Sequence, residues 1–200
     1  MSKELTFKSL GISNYLETLA SMKVQLQSEN FKNEIWLLEH PPIFTLGTAA
    51  NKDHILNPKD IPVVQSDRGG EVTYHGPGQL IIYFMIDIKK SKLGPRSLVN
   101  NLQKFTQSLL ARYSIESYFI KGAPGVYVKG EKIASIGLRI AKGKTYHGIS
   151  INVNMDLKPF SYINPCGYEG LKVTQIKNFK KNINLEMVID DSIILLKGLF

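Results

Sequence analysis

The chain has 200 residues, 43% of them hydrophobic, which is the size and apolar content of one ordinary globular domain. Its 25 lysines and arginines outnumber its 17 aspartates and glutamates for a net charge of +8, and it holds a single cysteine, Cys166. These figures exclude a disordered chain and a disulfide scaffold, and no apolar run approaches the ~20 residues of a transmembrane helix. One thiol and no pairing partner place the chain by default in a reducing compartment, the cytoplasm. Met1 to Leu5 carries an early acid and no apolar stretch, so no secretory or transit leader is expected. The charge is nearly all lysine, scattered along the chain, and the only arginines are Arg68, Arg96, Arg112 and Arg139. Arginine forks dominate base readout. A nucleic-acid partner is therefore not expected, nor a membrane, whereas an acidic protein partner fits.

Leu5–Leu10 reads as a short strand. A helix is expected from about Asn14 to Glu29, capped by Asn14 with Glu17 three residues on, and burying Leu16, Leu19, Ala20 and Leu26. Ile35–Leu38 is an apolar run of strand length stopped by His40-Pro41-Pro42. Residues 43–62 read as loop and short strand. Gln79–Ile88 is the strongest strand, apolar on both faces and so central. A second helix opens at Pro95, with Leu98, Leu102, Phe105 and Leu109 on its core face. Val126–Val128, the Lys129-Gly130 turn and Lys132–Ile140 form a β-hairpin, and Tyr146–Val153 is a further strand. A last helix, Leu185–Leu196, is expected to bury Leu185, Ile189, Ile193 and Leu196. No linker composition divides the chain. The order of elements predicts one α/β domain of the α+β type over residues 1–200, with a mixed, largely antiparallel sheet flanked by helices.

Two segments stand out chemically. Asp67 to Gln79 holds four glycines within ten residues, which permits unusual φ angles and close approach of backbone to a ligand; Arg68 beside Gly69-Gly70 is suited to a carboxylate, phosphate or carbonyl group. It has neither the P-loop ending nor a dinucleotide fingerprint. The second is Asn164-Pro165-Cys166-Gly167-Tyr168, where a thiol between proline and glycine is presented in a turn. A free thiol with a pKa near ~8.5 needs a neighbour to become a thiolate, and His75, His147 and Lys132 are the candidates. A lysine at Lys132 that snorkels to solvent is the bland alternative. A metal site from His75, His147 and Cys166 lacks ligand spacing and is not expected. His40 is expected to shape a turn and His54 to lie at the surface. Thr73-Tyr74-His75-Gly76 recurs as Thr145-Tyr146-His147-Gly148, a local echo rather than a duplication.

Five blocks occur together in order: Glu39–Gly47, Arg68–Gln79, Lys132–Arg139, Tyr146–Val153 and Ile163–Gly167. With them the chain resembles the lipoyl(octanoyl) transferase family, from about Leu5 into the final helix. The resemblance implies the biotin/lipoate protein ligase-like fold. The implied activity moves an octanoyl group from octanoyl-acyl carrier protein to a lysine of lipoyl domains, those of 2-oxo acid dehydrogenase E2 subunits and the glycine cleavage H protein. It implies Cys166 as acyl-accepting nucleophile and Lys132 as its activating partner. Arg68, Gly69, Gly70, Glu71, Val72, Thr73, Tyr74 and His75 would line the acyl pocket with Ser135, Ile136, Gly137, Gly148, Ile149 and Ser150. Two departures are visible, Tyr127 where tryptophan is common and Ile149-Ser150 where Leu-Ala is common; both are expected to alter pocket shape without touching the chemistry. A thioester donor is already activated, so neither ATP nor a metal is expected, and the phosphopantetheine arrives on the carrier. Backbone N–H groups near Gly167 or Gly76 are candidates for an oxyanion hole. The alternative enzyme is an ATP-dependent lipoate or biotin ligase of the same fold, against which Asn164–Gly167 speaks. The alternative without chemistry is a basic adaptor that docks acidic carrier domains.

Overall fold

The computed structural model describes residues 5–90 and 94–199. Residues 1–4, on which the absence of a leader was judged, lie outside them. In chain order the elements are β1 (Thr6–Ile12), α1 (Tyr15–Gln27), β2 (Glu34–Glu39), β3 (Ile43–Leu46), β4 (Val63–Gln65), β5 (Val72–His75) and β6 (Gln79–Met85). There follow α2 (Pro95–Arg112), β7 (Tyr118–Ile120), β8 (Ala123–Val128), β9 (Glu131–Ala141), β10 (Lys144–Asn152) and α3 (Leu185–Leu196). Single 3-10 turns lie at Lys52–His54, Lys158–Tyr162, Pro165–Gly167 and Ile176–Asn178.

Seven strands form one sheet in the order β1-β2-β6-β10-β9-β8-β7, in which only β1 and β2 run parallel. The expected mixed, largely antiparallel sheet is present. It is not the only one: β4-β3-β5 form a second, three-stranded sheet. That sheet escapes a sequence reading because its strands are three or four residues long and one lies inside the glycine-rich segment.

β6 shows why the main sheet sits where it does. Its alternate residues Leu80, Ile82 and Phe84 face a core built with Leu98, Leu102, Phe105 and Leu109 of α2 and Val188 and Leu196 of α3. Ile81, Tyr83 and Met85 face the other way, against Tyr15, Leu19 and Met22 of α1. A strand apolar at every position is thus covered on both faces, the period-2 rule applied twice. The hairpin turn is made by Lys129 (φ 48°) and Gly130 (φ 86°), the paired left-handed conformation that two-residue hairpins need.

Two helix faces differ from expectation. Asn14 does cap α1, accepting from the backbone N–H groups of Leu16 and Glu17. The buried stripe is Tyr15, Thr18, Leu19 and Met22, however, while Leu16 and Ala20 are exposed. Thr18 and Tyr15 carry hydroxyls that find partners, so apolarity alone misplaced the stripe by one step around the helix. In α3 the deepest residues are Val188, Ser192 and Leu196, with Leu185, Ile189 and Ile193 half-buried beside them. Ser192 is tolerated there because its hydroxyl donates to the Val188 carbonyl.

The corrected α1 face sets a test. Met22→Ala should lower stability by about 2–5 kcal/mol, and Leu16→Ala by less than about 0.5 kcal/mol, in urea unfolding followed by circular dichroism.

Candidate active site

Cys166 sits in the 3-10 turn Pro165–Gly167 with φ 57°, a left-handed conformation uncommon outside glycine and concentrated at functional sites. Its thiol is half-exposed. Lys132, at the start of β9, is 3% exposed and does not snorkel. Its Nζ donates to the Pro124 carbonyl at 2.9 Å and to Cys166 Sγ at 3.0 Å. The route between strand and thiol is opened by Gly125 (φ 146°), where a Cβ would fall 2.4 Å from Lys132 Cε. The backbone of Lys132 is fixed from both sides, its N–H donating to Lys172 and its carbonyl accepting from Thr174. Of the three candidate helpers, only Lys132 touches the sulfur. Tyr127, expected to stand clear of the chemistry, has its ring 5.5 Å from Lys132 Nζ.

The pair lies at one end of a cavity of about 230 Å³. Arg68, Gly69, Gly70, Glu71, Val72, Thr73 and His75 line it from the loop before β5 and from β5 itself. Ser135, Ile136 and Gly137 of β9 and Gly148, Ile149 and Ser150 of β10 form its floor. Tyr74 is the one proposed lining residue outside it. Along a strand alternate side chains point to opposite faces, so Thr73 and His75 face the cavity while Tyr74 turns into the cluster of Phe44 and Phe160.

Arg68 does not hold itself open for an anion. Its guanidinium donates to the carbonyls of Thr45, Gly69 and Glu71 and to the Thr45 hydroxyl, and it staples the glycine-rich loop to the small sheet. Gly137 lets that loop approach the floor, since a Cβ there would lie 3.0 Å from the Gly69 carbonyl oxygen. His54 is half-buried rather than at the surface: its Nδ1–H donates to Glu71 at 3.1 Å, and both side chains pack against Gly167.

Sequence reasoning did not find the far wall, made by Tyr15 of α1 and Ile81 and Tyr83 of β6, nor Pro124 at the near end. Their only sequence signal was apolar patterning, which the core explains equally well. At the far end three imidazoles gather. His40 stands in the short connection between β2 and β3, as its two following prolines predict, and is fully buried there; it donates from Nδ1 to the Ser13 carbonyl and accepts at Nε2 from Tyr83. His75 donates to Gln79 Oε1. His147 (φ 59°) donates from Nε2 to Asp67, leaving Nδ1 buried and without a partner among the described residues. The two histidines of the sequence echo therefore reach one cavity from two sheets.

Burial pushes His40 down to about 4, His75 to about 3 and His147 to about 4, so all three are neutral at pH 7. For Asp67, burial acts upward, but hydrogen bonds from His147, Lys23 and Tyr146 prevail and hold it well below the usual carboxylate range. No group of three His, Cys, Asp or Glu side chains arranged for a metal occurs among the described residues. No helix there is long and apolar enough to cross a membrane.

A cysteine–lysine pair beside a largely apolar cavity on this two-sheet fold defines the class. Residues 14–194 match the family model of the lipoyl protein ligase A/B catalytic domain, and the chain belongs to that family. An octanoyltransferase of Shewanella frigidimarina is 52% identical over 178 residues, covering 88% of this chain and 82% of the relative. Among solved structures, the bi-partite lipoate protein ligase of Thermoplasma acidophilum superposes with a TM-score of 0.75 at 12% identity, covering 98% of this chain and 84% of that one. A biotin protein ligase from Aquifex aeolicus, in complex with biotin and ATP, gives 0.60 at 13% identity, covering 98% and 70%. The expected lipoate and biotin ligase fold is present.

Neutral buried histidines set the pH response. Their folded pKa values lie below the unfolded value near ~6.5, so the unfolded chain binds more protons between about pH 6.5 and 4. Stability should be full above that window and fall as pH drops through it, by ~1.4 kcal/mol per pH unit for each histidine that titrates. Urea unfolding at pH 7 and pH 5 checks this, and a flat profile contradicts it.

Proposed function

We propose that this chain is an octanoyltransferase of protein lipoylation that carries the octanoyl group on Cys166 as a thioester. The reaction class rests on its half-identical relatives. The mechanism rests on one observation, the 3.0 Å contact of Lys132 Nζ with Cys166 Sγ at the mouth of the cavity.

In this reading Lys132 activates Cys166, and the attacking form of the pair is a thiolate beside the lysine that holds the proton. The thiolate attacks the carbonyl carbon of octanoyl-acyl carrier protein. A C–S bond to Cys166 forms, the C–S bond to the carrier's phosphopantetheine breaks, and the departing thiolate takes the proton from Lys132. The free amine of the lipoyl-domain lysine then attacks the same carbon. The C–N bond forms, Cys166 leaves as thiolate, and Lys132 accepts the amine's proton, restoring the starting pair. Each step uses an acyl group that is already activated, so the reading calls for no ATP and no metal. The neutral histidine and tyrosine wall suits a hydrocarbon tail, because it presents no fixed charge to desolvate.

The net charge of +8 supports an acidic donor and acceptor, whose approach a lysine-rich surface steers. Acceptors of this chemistry are lipoyl domains of 2-oxo acid dehydrogenase E2 subunits and of the glycine cleavage H protein. The glycine-rich loop and the β9–β10 floor form the acyl site.

Intact-protein mass spectrometry after incubation with octanoyl-acyl carrier protein should show one octanoyl adduct, lost in Cys166→Ser. No adduct on the native chain, or an unchanged one on Cys166→Ser, sinks the mechanism. In Lys132→Ala, alkylation of Cys166 by iodoacetamide at pH 7 should slow by roughly tenfold or more and recover as pH rises. Identical pH profiles would remove Lys132 from thiol activation.

A further inference from the structure

The cavity is exposed at one end and buried at the other. Around the thiol its lining is open to solvent, at Gly122, Pro124 and Tyr168. Ser135 and Ile136 of β9 are half-buried, whereas Ile149 and Ser150 of β10 and Ile81 and Tyr83 of β6 are buried. Depth therefore increases strand by strand away from Cys166. It ends at Tyr15 of α1, which is 3% exposed and shares an apolar cluster with Ile81.

Strand register shows what stops it there. Gly125 pairs with Ser135, Ser135 with Ser150, Ser150 with Ile81, and Ile81 with Leu38 of β2, which makes one row across five strands. Ser135, Ser150 and Ile81 line the cavity, but Leu38 does not, because Tyr15 packs into the cluster that holds both Leu38 and Ile81. The Tyr15 ring is pinned at its tip. Its hydroxyl is hydrogen-bonded to that of Ser66 at 2.6 Å, and Ser66 Oγ also accepts from the Arg68 N–H. The next residue, Asp67, pairs with Lys23 of α1 at 2.9 Å, so the loop before β5 holds the helix at two points. Lys132 Nζ stands beside Gly125 and marks the thiol end of the row. At ~4.8 Å per strand, β10 lies roughly 10 Å and β6 roughly 14 Å from that end. The C–C bonds of an octanoyl chain, ~1.5 Å each in an extended zigzag, span roughly 9 Å and bring its methyl group to β10; four more carbons, about 5 Å, carry it onto Ile81 and the Tyr15 ring.

We propose that Tyr15 is the specificity-determining residue for acyl chain length, an end stop that excludes chains of twelve carbons or more. The proposal rests on the thioester reading given above and deepens it. A chain too long for the row must displace a buried ring whose hydroxyl is already bonded, or buckle within the cavity, and both oppose the gain from burying its extra methylenes. A chain much shorter than eight carbons leaves the apolar wall at Ile81 and Tyr83 uncovered. Length is thus bounded from both sides, with α1 rather than the sheet setting the upper limit. The transfer itself is unchanged: the same C–S bond breaks at the carrier and the same one forms at Cys166.

The test is a competition between octanoyl- and dodecanoyl-acyl carrier protein on the full chain, with the two Cys166 adducts resolved by intact mass. The native chain should load octanoyl faster by roughly tenfold or more. Tyr15→Leu, which is shorter and still apolar, should raise the ratio of dodecanoyl to octanoyl loading by about tenfold, and Tyr15→Phe, which keeps the ring, should retain the native ratio. Ile81→Ala opens the same end from the sheet side and should also raise the ratio, which supplies the reading if Tyr15→Leu does not fold. Equal loading of the two chains by the native protein overturns the proposal and leaves the thioester reading standing. So does a ratio unmoved in folded Tyr15→Leu or, failing that variant, in Ile81→Ala. Loading from neither donor overturns both.

Discussion

Everything around the reactive thiol follows from one constraint, a lysine amine taken almost wholly out of water. Such a group is costly to bury unless every direction it points in holds a partner. Lys132 meets that demand with a backbone carbonyl, a sulfur and an aromatic face, from Pro124, Cys166 and Tyr127. Each partner needs a backbone built for it. Gly125 clears the side chain's path, the β8–β9 register shifts between Val126 and Tyr127, and residues 172–174 bridge to Lys132. The same bridge ties the segment after Cys166 to the main sheet. The thiol and the amine are therefore held by shared backbone bonds rather than by two independent loops.

The rest of the cavity shows a division of labour between charge and neutrality. Its buried guanidinium, Arg68, is consumed in stapling the glycine-rich loop, and its two imidazoles, His75 and His147, are kept neutral by burial and bonded into the scaffold, with His40 packed behind them. Away from Lys132 and Glu71, what remains facing the interior is largely apolar surface interrupted by a few hydroxyls. A wall of that kind suits a hydrocarbon, whereas a charged wall would hold water.

Much of this was legible in the chain. Cys166 between proline and glycine announced a presented thiol, the Gln79–Met85 run announced a central strand, and the glycine-rich segment announced a close backbone approach. Other features were not legible, and for identifiable reasons. The α1 stripe was misjudged because Tyr15 and Thr18 bury hydroxyls that find partners elsewhere in the fold. Arg68 looked available because its acceptors at Thr45 lie 23 residues away. The burial of His40 in its turn was not legible because Ser13 and Tyr83, its partners, lie 27 and 43 positions away.

By itself, then, the sequence determined which residue types exist to do chemistry, where the helices and the longer strands lie, and that Cys166 is displayed. Those are local properties, set by backbone geometry and side-chain periodicity over a few residues. Only the tertiary structure decided that Lys132 rather than His75 or His147 meets the sulfur, that Tyr74 turns away from the cavity, and that Ser135 and Ser150 stand in one row. These outcomes depend on strand register, and a shift of a single residue would send every one of those side chains to the opposite face.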